Sequence, residues 1–212
     1  MISIIFDMDG TLLDTQGICV PAWEWAGKNQ GIFGCGEYVK FVVGKNEETV
    51  RAYIAKTFPS FDIDRFRKDS KDYSEKFGSK DYKKGALELL EYLKNRGIKM
   101  AIASGSTTEV VNKLMTNVGG LGYFEALVGG EETVNCKPHP EVFLKAAERL
   151  GVSPEDCIVF EDSPYGIEAA VRAGMRVIGI PDIVSFDDET KSKCFKVLNS
   201  LDEAIDIFEK LL

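Results

Sequence analysis

Asp7 and Asp9 stand two residues apart, directly after the short apolar run Ile2–Phe6, in the stretch IIFDMDGTLLDT. Carboxylates placed at the end of a buried strand can hold a cation and attack an electrophile. The plainer alternative is a turn of Asp and Gly whose acids are solvated. Three other stretches bear on the choice. Ser104 and Gly105 follow the run IKMAIA, Lys137 lies in NCKPHPEVF, and Glu161 and Asp162 follow CIVF. Together these places hold four carboxylates (Asp7, Asp9, Glu161, Asp162), one hydroxyl and one lysine. If they share a crevice, the carboxylates repel one another unless a cation joins them. Mg²⁺ suits such a place, because it takes few carboxylates, several waters and phosphate oxygens. A lysine and a hydroxyl beside it suit phosphate. The chemistry these residue types point to is Mg²⁺-assisted reaction of a phosphorylated small molecule.

The elements that must position these groups follow from hydrophobic pattern. Ile2–Phe6, IKMAIA, EALV, DCIVF and RVIGI read as short buried strands. Between them, Ala86–Asn95, Thr107–Asn117, Pro140–Leu150 and Tyr165–Ala173 read as helices, and Asp202–Leu212 as a closing helix. Strands alternating with helices imply an α/β domain with a Rossmann-like parallel sheet. In such a sheet ligands collect at the carboxyl ends of the strands, where all the groups above fall. Residues 16–84 break the alternation. They are rich in charged and aromatic residues, with helical spacing in Val20–Asn29, Glu47–Thr57 and Arg65–Phe77. The organisation predicted is a catalytic core of residues 1–15 and 85–212, with a small helical cap, 16–84, inserted after the first strand.

Composition narrows the class. The chain has 212 residues, enough for one core domain with an insert and no disulfide staples. Its formal net charge of −8 argues against nucleic acid as a partner. Five cysteines without a C-x-x-C pair predict reduced thiols. No basic segment followed by a long apolar run opens the chain, so a soluble, cytoplasmic protein without membrane attachment is expected, acting as a monomer.

The stretches DMDGT (7–11), SGS (104–106), KPHP (137–140) and EDS with GIEAA (161–170) resemble, in this order, the haloacid dehalogenase superfamily. The run EDSPYGIEAAVRAGM and the position of the insert are similar to its β-phosphoglucomutase-like branch of phosphatases and phosphomutases. The resemblance implies Asp7 as nucleophile, forming an aspartyl phosphate, and Asp9 as general acid and base. It implies that Thr11, Ser104 and the backbone N–H of Gly105 bind phosphoryl oxygens and that Lys137 neutralises the nucleophile. It also implies Mg²⁺ on Asp7, Asp162 and the backbone carbonyl of Asp9, with Glu161 direct or through water. In VGKNEET (43–49), Lys45 is the candidate cap contact to substrate, with Arg51 second.

His139, the only histidine, lies between two prolines and reads as a surface turn residue. The mutase carries a cap-hinge histidine that couples closure to the general acid; counting without gaps puts Cys19 there. That departure favours a phosphatase of a sugar or polyol phosphate. A sugar phosphomutase and a non-catalytic sugar-phosphate binding module are the alternatives.

Overall fold

The computed structural model describes residues 2–45, 47–78 and 81–211. Positions 1 and 212 at the expected ends of the core, and 46, 79 and 80 within the expected cap, lie outside the described residues.

Six parallel strands form one sheet: β1 (Ser3–Phe6), β2 (Met100–Ala103), β3 (Ala126–Val128), β4 (Cys157–Glu161), β5 (Arg176–Gly179) and β6 (Lys196–Val197). Their order is β3-β2-β1-β4-β5-β6. The chain thus builds outward from β1 on one side and then on the other, which makes the carboxyl end of β1 the switch point of the sheet. Alternation within each strand serves two cores. Ile4, Phe6, Met100, Ile102, Ile158 and Phe160 join one hydrophobic cluster, while Ile5, Ala101, Val159 and Val177 join the other. Phe6 and Phe160 stack with ring centroids 4.9 Å apart. Each such fully buried side chain contributes roughly 1.5–3 kcal/mol.

Helices α4 (Ala86–Asn95), α5 (Thr108–Asn117) and α9 (Glu203–Leu211) cover the first face. Helices α6 (Glu141–Leu150) and α7 (Pro164–Arg172) cover the second. In α6, Val142, Phe143, Ala146, Ala147 and Leu150 form one buried stripe, and Gly151 ends the helix at a φ of +67°. Thr107 caps α5 by accepting from the Val110 N–H.

Two elements near the end were not expected. Helix α8 (Asp188–Lys193) is short and polar, and Asp187 caps it by accepting from the Thr190 N–H. Strand β6 has two residues, both exposed. Neither offers a hydrophobic period to read.

The insert comprises α1 (Cys19–Lys28), a 3₁₀ segment (Cys35–Phe41), α2 (Glu47–Thr57) and α3 (Ile63–Phe77). Its own apolar cluster includes Trp23, Val39, Ile54, Phe61 and Phe66, with Trp23 edge-on to Phe66 at 5.3 Å. Trp25, two residues on, is half exposed, as the spacing requires. The chain leaves and re-enters the core side by side. Leu13 pairs antiparallel with Tyr82, Asp14 N–H donates to Asp81 O (3.1 Å), and Lys83 N–H donates to Leu12 O (2.8 Å). Among the described residues, no helix is long and apolar enough to cross a membrane.

Candidate active site

The ends of β1, β2 and β4 lie side by side because their registers match: Phe6 is level with Ile102 and with Phe160. The residues that follow therefore meet. Asp7 keeps its backbone in the sheet, its N–H donating to Phe160 O at 2.9 Å. Its side chain faces Glu161 and Asp162, and Lys137 reaches the same point from the loop before α6.

Lys137 Nζ donates to Asp7 Oδ1 at 2.5 Å and to Glu161 Oε1 at 2.9 Å, with its side chain only 5% exposed. Its ammonium also lies 4.8 Å from the Phe143 ring centroid. The second Glu161 oxygen accepts from the Ser163 N–H at 2.7 Å. Oxygens of Asp7, Glu161 and Asp162, all buried, lie within 4.8 Å of one another. Burial pushes Asp7 up to about 8; Lys137 opposes this, and Glu161 and Asp9 add to it. Burial also raises Asp162 well above the carboxylate range, with Glu161 and Asp7 adding to it. Burial would lower Lys137, but Asp7 and Glu161 hold it above the usual lysine value.

The cluster is thus short of positive charge. One lysine faces three buried carboxylates, and the donors are all oxygens, the ligands of a hard divalent cation. These residues fit the expected Mg²⁺. The Asp9 carboxylate is not part of this group. Its Oδ1 accepts from Thr15 Oγ1 (2.8 Å), and its Oδ2 from Ser106 Oγ (2.8 Å) and more distantly from Ser104 Oγ (3.4 Å).

Two expected phosphate ligands, Thr11 and Ser104, are fully buried. Thr11 is fully buried, and its hydroxyl donates to Asp162 Oδ1 at 3.2 Å. The turn that begins at Met8, closed by Leu12 and Leu13 N–H groups on Met8 O, folds Thr11 under the loop. Ser104 is also fully buried and accepts from the Ser106 N–H at 3.0 Å. Gly105 and Ser106 line the cleft, and Ser104 lines an adjoining pocket with Gly105 and Lys137. Ser106 was readable as the second hydroxyl of SGS. Gln16 was not readable: an amide just before a helix has no distinguishing pattern. Its Nε2 donates to Asp9 O (2.6 Å) and to Asp162 Oδ2 (2.9 Å).

A cleft of about 450 Å³ lies between these groups and the insert. The insert's share of the wall is mainly apolar: Trp23, Val39, Val42, Val43 and Val50. Lys45 lines it, with its ammonium 5.0 Å from the Tyr165 ring centroid. Arg51 does not; it is ion-paired on the surface with Asp64 and Glu47. Arg67, unforeseen, lines the cleft and is bidentate to Glu47 at 2.9 and 2.5 Å. Cys19 also faces the cleft, but its thiol lies near Thr15 O (3.9 Å), and burial, with Asp9 adding, pushes it up to about 11. His139 is half exposed, 3.9 Å from Glu141.

Residues 4–180 match the model of the haloacid dehalogenase-like hydrolase family. A phosphorylated carbohydrates phosphatase of Thermotoga maritima is 31% identical over 184 residues, covering 85% of each chain. The crystal structure of a β-phosphoglucomutase from Clostridium difficile superposes with a TM-score of 0.80 at 25% identity, covering 99% of this chain and 96% of that one. A haloacid dehalogenase family hydrolase of Deinococcus radiodurans, crystallised with bound phosphate and sodium, superposes with a TM-score of 0.79 at 25% identity, covering 99% and 96%. With its parallel sheet, helical insert and carboxylate cluster at the switch point, the chain belongs to the haloacid dehalogenase-like hydrolases, in their β-phosphoglucomutase-like branch, and is an enzyme of the phosphoric monoester hydrolase class.

Proposed function

We propose that the protein is a Mg²⁺-dependent phosphatase of a small sugar or polyol phosphate, with residues 16–84 as a cap over the cleft. The observation that carries this is the pairing of Asp7 with Lys137 at 2.5 Å on the cleft floor, beside an Asp9 carboxyl held by two hydroxyls. Asp7, Glu161 and Asp162, with the Asp9 carbonyl, would hold Mg²⁺, which when bound neutralises the phosphoryl group and keeps Asp7 ionised. Asp7 Oδ attacks phosphorus, and the bond from phosphorus to the leaving oxygen breaks. Asp9, fixed by Thr15 and Ser106, gives that oxygen its proton. Asp9 then takes a proton from water. The water oxygen bonds to phosphorus, the bond to Asp7 breaks, and inorganic phosphate leaves. Lys137 offsets charge on Asp7 throughout, and Gly105 and Ser106 face the transferring group. The insert excludes bulk water and meets the rest of the substrate through Lys45, the Arg67–Glu47 pair and the apolar wall.

Cys19 supports hydrolysis over mutation of the sugar. Its thiol stays neutral near pH 7 and contacts Thr15 O rather than the Asp9 carboxylate. The test supplies Mg²⁺ with sugar and polyol monophosphates, including β-glucose 1-phosphate with a trace of glucose bisphosphate. Free phosphate and glucose 6-phosphate are measured together. Free phosphate, abolished in Asp7→Asn, is expected. Glucose 6-phosphate without free phosphate would make the enzyme a mutase. Turnover retained in Asp7→Asn would refute the mechanism.

A further inference from the structure

Gln16 makes two contacts that set it apart from the rest of the cleft lining. Its amide Nε2 bridges Asp9 O at 2.6 Å and Asp162 Oδ2 at 2.9 Å. The Asp9 carbonyl can only accept, so the nitrogen is the atom that faces it and Asp162. The opposite atom, Oε1, is then left buried without a hydrogen-bond partner, in a residue only 9% exposed. A buried, unpaired amide oxygen is a destabilising arrangement. The amide nitrogen meanwhile serves the Asp9 carbonyl and one oxygen of the buried carboxylate cluster.

Room for the bridge comes from Gly10. A Cβ there would lie 2.6 Å from both Gln16 Nε2 and Asp162 Oδ2, and the backbone at Gly10 has a φ of +84°. Thr11 already donates to the other oxygen of Asp162. Each Asp162 oxygen therefore has a donor, and Oδ2 is the one whose donor lies at the cleft.

We propose that Gln16 is a placeholder for the cation: its N–H group stands in for Mg²⁺ at Asp162 and the Asp9 carbonyl, and must let go of both when the ion binds. This rests on the Mg²⁺ site of the proposed function. Because the Gln16 backbone carbonyl accepts the Cys19 N–H at the start of α1, the exchange takes place where the chain enters the insert. Gln16 thereby sets the ion concentration at which the site fills.

The test is Mg²⁺ titration by calorimetry of the wild-type protein and of Gln16→Ala and Gln16→Met. Methionine keeps the length and removes the donor. A side chain serving only to brace the site would weaken binding when removed. A placeholder does the opposite, so both variants are expected to bind Mg²⁺ about 3- to 10-fold more tightly, the factor that the net value of one or two hydrogen bonds supplies. In the wild type, the Gln16 side-chain amide resonance should also move on Mg²⁺ addition. Unchanged or weaker binding in both variants, with normal Mg²⁺ binding by the wild type, would overturn the placeholder alone. Absence of Mg²⁺ binding by the wild type would overturn the metal site and the placeholder with it.

Discussion

Replacing Lys137 with Met probes the whole charge arrangement. The thioether keeps the stem that packs toward Phe143 but removes the ammonium held 2.5 Å from Asp7 and 2.9 Å from Glu161. Breaking a buried ion pair on one side costs about 3–5 kcal/mol, because the remaining charge stays buried and uncompensated. For a chain of this size, each kcal/mol is roughly 2–4 °C in Tm, so a fall of about 6–20 °C is expected without Mg²⁺. The fall should depend on pH. Asp7 is already raised to about 8 with the lysine present, and losing it raises the acids further. The variant's folded state then binds more protons, so its stability falls more steeply as pH rises. The gap from wild type is therefore small near pH 5.5 and large near pH 8.5, and saturating Mg²⁺ narrows it. The assay is thermal unfolding at both pH values, with and without Mg²⁺, alongside kcat, which should drop by about 100-fold or more. A gap below about 2 °C at pH 8.5, or one equal at both pH values, would refute the view that Lys137 neutralises this cluster.

Three further outcomes are expected. Ser106→Ala removes the 2.8 Å hydrogen bond to Asp9 and should lower kcat about 10-fold with little change in Tm; an unaltered kcat means Asp9 is held by other groups. Gly166→Ala would put a Cβ 1.9 Å from Glu161 Oε1, a carboxylate already fixed by Lys137 and Ser163, so stability should fall by about 1–3 kcal/mol in urea unfolding and Mg²⁺ affinity should fall with it. In the cation-free wild type, the raised value of Asp7 means that its proton favours the folded state. This contribution is complete below about 4 and is lost as pH rises through about 8, so Tm measured from pH 5 to 9 should decline, and Mg²⁺ should flatten the decline.

The sheet was legible because its strands are nearly continuous apolar runs between amphipathic helices, and the cluster of Asp7, Glu161 and Asp162 was legible because each follows such a run. Strand ends are where side chains of different strands converge, so spacing to a strand end stood in for distance in space. Burial of the side chains one step further out was not legible in this way. Thr11 and Ser104 follow strands too, but loop closure at Met8 and the hydrogen bond from the Ser106 N–H turn them inward. Gln16 and Arg67 owe their places to the path of the insert over the sheet, which no local pattern encodes. β6 escaped for a different reason, being two exposed residues that pair only because β5 offers an edge.

The insert keeps its own apolar cluster and joins the core through two adjacent chain crossings, at Leu13 and Tyr82. Its wall can therefore accumulate substitutions while the sheet, the carboxylates and Lys137 keep their geometry. Under the proposed function the insert's wall chooses the substrate while the core runs the reaction, and grafting a relative's residues 17–84, which leaves Gln16 on its Asp9 and Asp162 partners, should transfer preference without rebuilding the chemistry.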